Sequence, residues 1–559
     1  MRQKLGEERF REFMERQKEQ EEKKEKKDGD AYETESFSDD ELRLIDEILG
    51  EDPQQKKDGK QGGKFGGGGP TDRSPSPDKK LFAYALNHNL YVAEVGKEKD
   101  ALQLSKDSAG DDYTFNASFG FGGGGFGGVR DQKDQEKDKD KKVRPQVTWS
   151  KDSQAFYATR SDARGVKELF LVNVLATPRP TLSKYKYPMP GEENIRKSEL
   201  FVFHKAKNQL VRIERKWKDE AYSDLHWGKK SDELRFVRRD RLHRNAEFCS
   251  VNTQTGKAKC LILEGFENSS LVTQPVKYLD ETDEMIWWSE RSGWGHFYLY
   301  DRTGKLKNAI SAGDFRASTI VAVDPKHRIL YFRANAREPG ECVYFNHLYS
   351  AHLDGSGVTL LDPGNANHDS HLSPSRQIVV DNCSRFDQAP VSVLRDARGN
   401  KLMDLENADL GKLYEVGWKM PETFQVKAAD GVTDLCGHFW KPFDFDPKKK
   451  YPVIAHVYPG PQTESMQHVF TPTAQQQQMA QLGFIVIQVG NRGGTPLRSK
   501  AYQSYSYFNL RDYGLADKKF AIEQLAAKYP WVDSDRVGIY GHSGGGFMSA
   551  AALLVKPYN

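Results

Sequence analysis

One pattern constrains this chain more than any other: a polar turn containing Asp, Ser or Lys, then a short apolar strand, recurs from about residue 73 to about residue 425. It is read at Ser76-Pro77-Asp78 before Leu81-Phe82-Ala83-Tyr84, at Trp149-Ser150-Lys151-Asp152 before Ala155-Phe156-Tyr157, and at Trp227 to Asp232 before Leu234-Arg235-Phe236-Val237. It returns at Leu279-Asp280 before Met285-Ile286-Trp287-Trp288, at Asp324-Pro325 before Ile329-Leu330-Tyr331-Phe332, and at Ser373-Pro374 before Ile378-Val379-Val380. The last three starts lie roughly 45 to 50 residues apart, the length of a four-stranded propeller blade. Small sheets of this kind gain a core by stacking on one another, so the repeat predicts a β-propeller of about seven or eight blades over 73–425. Unrelated hairpins in a sandwich are the competing reading, but sandwiches rarely need ~350 residues.

Beyond about residue 425 the grammar changes to alternating strands and helices. Tyr451 to Tyr458, Phe484 to Val489 and Val537 to Tyr540 read as buried parallel strands, with a helix around Met479 and Leu482 and an amphipathic helix over Asp512 to Lys528. This predicts the first part of an α/β-hydrolase domain over 426–559, incomplete at its C-terminus.

The remaining segments are polar. Residues 1–72 join a Lys/Glu-rich run to the glycines at 62–69 and bury too little apolar surface to offset ordering, although Ser38 and Glu41 cap a short helical pattern through Leu42, Ile45 and Ile48. The Phe119 to Lys142 stretch, Gly/Phe then Lys/Asp, reads as a surface insert. A net charge of +3 from 83 basic and 80 acidic residues gives no global field for nucleic acid. There is no apolar run long enough to span a membrane, and no apolar stretch of signal-peptide type follows Met1. The cysteines at 249, 260, 342, 383 and 436 lack metal-site spacing, and the glycine runs at 66–69 and 122–125 lack a following Lys-Ser/Thr. No metal or cofactor is expected.

The chemistry-bearing motif is Gly541-His542-Ser543-Gly544-Gly545-Gly546, with a strand running into it and a helix, Phe547 to Val555, running out. A bare GxSxG arises by chance in roughly one chain in five of this length. The strand-turn-helix setting raises it to a nucleophile elbow, in which glycines permit a sharp turn that projects the serine hydroxyl above the sheet.

Asp533 to Gly545 (DSDRVGIYGHSGG) resembles the segment leading to the catalytic serine of the prolyl oligopeptidase family. Tyr451 to Pro461 (YPVIAHVYPGP) resembles that family's oxyanion strand, and the Asn491-Arg492-Gly493-Gly494 turn fits as well. Trp288 to Tyr300 and Tyr187 to Asn194 are similar to the dipeptidyl peptidase IV branch. The resemblance implies a serine peptidase without cofactor: Ser543 as nucleophile, the Tyr458 hydroxyl and the Gly544 N–H as oxyanion donors, and a propeller that restricts access to short peptides. Partners would be peptide substrates, with a homo-oligomer open; the compartment is undetermined.

The family order is Ser, then Asp, then His, yet the sixteen residues after Ser543 hold neither. The chain as written is therefore expected to be a piece of a longer product and inactive alone. Glu192 and Glu193 are the adjacent propeller glutamates that could bind a substrate ammonium, but they fall in a different family segment and read as surface residues. His542, His296 and Trp294 read as packing residues, Asp512 as a helix start and Asp533 as a loop residue. A partner-binding propeller without catalysis, and an acylaminoacyl peptidase or esterase on the same fold, remain the alternatives.

Overall fold

A computed structural model describes residues 72–110, 112–116, 141–510 and 512–555. The expected helix after Ser38 and nearly all of the insert at 119–142 lie outside the described residues. Six antiparallel sheets follow one another along the chain, five of four strands and one of five. Their members run from Ser74–Pro75 to Leu102–Gln103, Tyr113–Thr114 to Gln209–Arg212, Ala221–Trp227 to Ala258–Gly265, Lys277–Leu279 to Leu306–Ala309, Arg316–Asp324 to Thr359–Leu360, and Asn367–Leu372 to Lys401–Asn407. These are propeller blades. Six blades lie among the described residues, against the seven or eight expected over 73–425. The second blade consumes extra chain in the unpaired-to-blade hairpin of Glu168–Asn173 and Thr181–Lys186, and in the insert before it.

Each apolar run read between residues 73 and 425 lies in a strand paired on both sides within its blade, and the polar turn before it has a physical job. Ser76 Oγ donates to Asp78 (2.6 Å) and accepts from the Leu81 N–H (3.0 Å), and Ser150 repeats this with Asp152 (2.6 Å) and Ala155 (3.0 Å). The serine and aspartate thus cap a tight turn whose next residues, Lys79 and Ser153, adopt φ of 59° in both blades. Between blades aromatic rings meet, as where Phe297 of the fourth blade and Phe332 of the fifth pack edge-on with centroids 5.8 Å apart.

After Asn407 the chain enters a five-stranded mixed sheet in the spatial order Glu422–Lys427, Asp434–Trp440, Ile485–Val489, Tyr451–His456, Val532–Tyr540. The last three are mutually parallel, the first two antiparallel to their neighbours. Helix Asp512–Lys528 covers one face, sealing Leu515, Ala521 and Leu525 into a core with Val453, Ile485, Ile487 and Trp531. Blades four and five meet this unit through polar contacts: buried Lys500 donates to Glu290 (2.8 Å), and Asn335 Nδ2 donates to the Leu497 carbonyl (2.7 Å).

Candidate active site

His456 lies in register beside Gln488 on one side and Tyr540 on the other, so three parallel strands end at one level. The segments that leave them, Val457 to Pro461, Gly490 to Gly494 and Gly541 to Ser543, converge at the carboxyl edge of the sheet, where open α/β sheets place their ligands.

Ser543 stands at the start of helix Gly544–Leu554 with φ 53° and ψ −115°. A serine in this region carries strain of about 1–3 kcal/mol, sustained only where its surroundings over-determine it. They do so through glycine. A Cβ on Gly541 would lie 2.3 Å from the Val457 carbonyl oxygen and 2.7 Å from Gly545 Cα, and one on Gly545 would also meet Val457 O at 2.3 Å. The turn is therefore pressed against the neighbouring strand's backbone, with no flexible side chain that could give way. Ser543 is exposed and makes no side-chain capping bond to its own helix. Its hydroxyl sits beside the helix N-terminus, where backbone N–H groups favour negative charge.

Tyr458 faces this elbow. A Cβ on Gly544 would lie 3.4 Å from Tyr458 Cζ, the ring carbon bearing the hydroxyl, and 3.4 Å from Pro459 Cγ. The loop carrying Tyr458 is clamped from below by fully buried Asn491, whose Nδ2 donates to the Pro459 carbonyl (3.2 Å) and to the Arg492 carbonyl (3.1 Å). Gly460 adopts φ 102° and approaches Gly494 so closely that a Cβ would sit 2.5 Å from its Cα.

Charged groups brace the same edge. Arg492 donates to buried Asp517 (2.8 Å from Nη2 to Oδ1) and to Asp430 (2.9 Å), and its plane lies 3.9 Å from the Tyr505 ring centroid. Glu464 is buried and accepts from Tyr344 of the fifth blade (3.0 Å) and from Tyr502 (2.6 Å); burial raises its carboxyl above the ordinary range. Desolvation pushes Lys518, which donates to the Val489 carbonyl, down to about 8. The Asn-Arg-Gly-Gly turn was legible as a motif, but Glu464, Lys518 and Tyr344 were not, because single polar residues among apolar ones carry no periodic signal.

Of the residues singled out from sequence, Ser543, Gly544 and Tyr458 come together at this edge. Glu192 and Glu193 are held elsewhere: Glu192 pairs with Lys167 (3.2 Å) and accepts from the Met189 N–H (3.1 Å), and Glu193 pairs with Lys218. His542 is exposed beside Ser543. His296 is fully buried between Ser311 (3.0 Å) and the Gly313 carbonyl (2.9 Å), and burial lowers its pKa. Asp512 begins a helix, and Asp533, expected in a loop, lies instead in strand Val532–Tyr540, where it accepts from Arg536 (2.7 Å).

The fold and this edge define a class: a β-propeller joined to an α/β-hydrolase sheet that ends in a nucleophile-elbow turn. The model of the dipeptidyl peptidase IV N-terminal region matches residues 142–390, and the model of the prolyl oligopeptidase family matches residues 470–558. Taken together the two regions match a dipeptidyl peptidase IV-like enzyme of the prolyl oligopeptidase family. It is 27% identical over 271 residues to human Dipeptidyl peptidase 8, covering 45% of this chain and 29% of that one. It is 28% identical over 274 residues to Dipeptidyl peptidase 4 of Trichophyton tonsurans (47% and 34%). A longer match, 24% identical over 528 residues, reaches a probable dipeptidyl-aminopeptidase B of Talaromyces marneffei (86% and 54%). The crystal structure of Porphyromonas gingivalis dipeptidyl peptidase 4 superposes with a TM-score of 0.67 at 21% identity, over 85% of this chain and 65% of that one. The aligned part thus spans about a third of the first two curated relatives.

Proposed function

We propose that this chain supplies the propeller and the nucleophile of a serine peptidase that releases dipeptides from the free amino termini of short peptides. The observation that carries the reading is the left-handed Ser543 at the strand-to-helix turn, with Tyr458 packed over Gly544. In this reading Ser543 Oγ attacks the scissile carbonyl, its proton passing to a histidine oriented by an aspartate, which the family order puts after the serine. The carbonyl oxygen becomes an oxyanion that accepts from the Tyr458 hydroxyl and the Gly544 N–H, and the adjoining helix N-terminus adds favourable potential. Collapse expels the amine and leaves an acyl-enzyme on Ser543, which water then hydrolyses.

Asn491 and the Arg492–Asp517 pair are positioning groups in this scheme: they fix the loop that carries Tyr458 and the turn beneath it. We assign the propeller to the segment before the mixed sheet, with the boundary between Asn407 and Glu422. The relatives' names, dipeptidyl peptidases and a dipeptidyl-aminopeptidase, support an exopeptidase over an endopeptidase. The test is kinetic: with the whole protein, compare a dipeptidyl anilide bearing a free amine, its N-acetylated form, and a simple ester. The reading expects kcat/KM for the free amine to exceed that of the acetylated form by roughly 100-fold or more, the worth of a buried ammonium contact. Preference for the blocked substrate would replace it with an acylaminoacyl peptidase.

A further inference from the structure

We infer that Cys342 and Cys436 form a redox-controlled disulfide that staples the fifth propeller blade to the hydrolase sheet. Cys342 lies in the connection between strands Ile329–Asn335 and Asn346–His352, whereas Cys436 is in strand Asp434–Trp440 of the mixed sheet. Their sulfurs are 3.6 Å apart, although the residues are 94 positions apart in sequence. Both thiols are half-buried, and no disulfide is present.

The surroundings hold the two in register. Asn335, at the base of the connection, bridges Val343 O and Leu497 O at 2.7 Å each. Two residues beyond Cys342, Tyr344 donates to Glu464 (3.0 Å) and stacks on His468 with centroids 4.6 Å apart. On the other side the Cys436 carbonyl accepts from the Gly490 N–H (3.1 Å), at the turn that begins the candidate site. Contact at this distance leaves an approach of about 1.5 Å to bond length, within reach of side-chain rotation and a small loop shift. The strand fixes Cys436, so the loop supplies the movement. Pro339 and Gly340, just before Cys342, are exposed, so this loop reaches solvent.

The chemistry favours Cys342 as the first thiolate. Contact with Cys436, the Tyr344 N–H and the Arg498 guanidinium lower its pKa against the opposing effect of burial, while contact with Cys342 and burial both raise that of Cys436. With a low-molecular-weight disulfide such as oxidised glutathione as oxidant, Cys342 S⁻ attacks one sulfur and a glutathione thiolate leaves. Cys436, losing its proton to solvent, then attacks Cys342 Sγ of the mixed disulfide and expels the glutathione that it carried. Two protein thiols become one disulfide, and one oxidised glutathione becomes two reduced ones. The bond closes a long loop across the seam, so the oxidised form resists separation of blade and sheet.

The experiment equilibrates the full chain with oxidised glutathione, blocks residual thiols with iodoacetamide, and maps peptides by mass without reduction. The expected product is a peptide pair joined through Cys342 and Cys436 that carries no glutathione. Labelling of both should fall roughly tenfold and return with dithiothreitol. Exposed Cys260 serves as the internal control for a thiol open to glutathionylation. Separate glutathione adducts on Cys342 and Cys436, or both recovered as free thiols, would overturn the proposal. As a second measurement, oxidation should raise the thermal midpoint of the native chain but not that of Cys342→Ser or Cys436→Ser; an equal rise in all three also overturns it.

Discussion

Gly541→Ala and Gly546→Ala alter the same motif and should behave oppositely. A methyl at position 541 meets backbone on two sides, Val457 O at 2.3 Å and Gly545 Cα at 2.7 Å, and neither belongs to a side chain that can rotate away. The strand pairing that fixes Val457 would have to shift, so the cost falls at the upper end of the overpacking range, about 3 kcal/mol. At position 546 a methyl would lie 3.4 Å from the Gly541 carbonyl, close but tolerable, and the residue is inside helix Gly544–Leu554. Replacing glycine by alanine there gains about 0.5–1 kcal/mol of helix propensity, offset in part by the tight contact. Urea unfolding, followed by hydrogen exchange of the peptide spanning 532–555, reads both. With a slope of about 2 kcal/mol per molar, Gly541→Ala should lower the midpoint of that segment by about 1.5 M, and Gly546→Ala should leave it within about 0.5 M of the parent. Equal effects would refute the argument that the elbow is pressed against the Val457 carbonyl.

Three further outcomes are expected. Tyr458→Phe in the whole enzyme should lower kcat by about 100-fold with little change in KM, because an oxyanion donor acts chiefly on the transition state; an unchanged kcat removes Tyr458 from the site. Asp517→Ala leaves buried Arg492 with Asp430 as its remaining carboxylate and should cost about 3 kcal/mol, read as a lowered thermal midpoint. His347 is buried between Asp362 (3.2 Å) and Glu341 (2.9 Å), and these carboxylates raise its pKa from 6.5 to about 9. Its contribution of up to about 3 kcal/mol is therefore complete below about pH 6.5 and lost as pH rises through 9. His347→Gln should flatten that part of the stability profile, and an unaltered slope would assign the dependence to another group.

The propeller was legible because its blades repeat a local solution. Ser76 and Ser150 cap equivalent turns, and the apolar runs after them had to be inner strands, so even Leu81 and Ala155 could be placed from sequence alone. Blade number was less legible, since the hairpin around Glu168 to Lys186 lengthens one blade without adding another. In the hydrolase sheet, helix Asp512–Lys528 was read to its ends, but strand Val532–Tyr540 begins five residues before the predicted Val537. The early part, Val532 and Asp533, pairs with Tyr451 and Pro452 across a register shift, which polar residues such as Ser534 and Asp535 conceal. Ser543, Gly544 and Tyr458 were readable because the elbow demands glycines at fixed offsets. The bracing cluster of Glu464, Tyr344, Tyr502 and Lys518 was not, since it is assembled from four distant segments and exists only once blade five meets the sheet.

The most direct test of the proposed nucleophile is reaction of the whole protein with a fluorophosphonate probe, followed by peptide mapping. The proposal expects a single adduct on Ser543 that disappears in Ser543→Ala, with thermal stability unchanged, because alanine keeps the Cβ and with it the backbone strain at this position. An adduct that persists in Ser543→Ala, or maps to another serine, would contradict it.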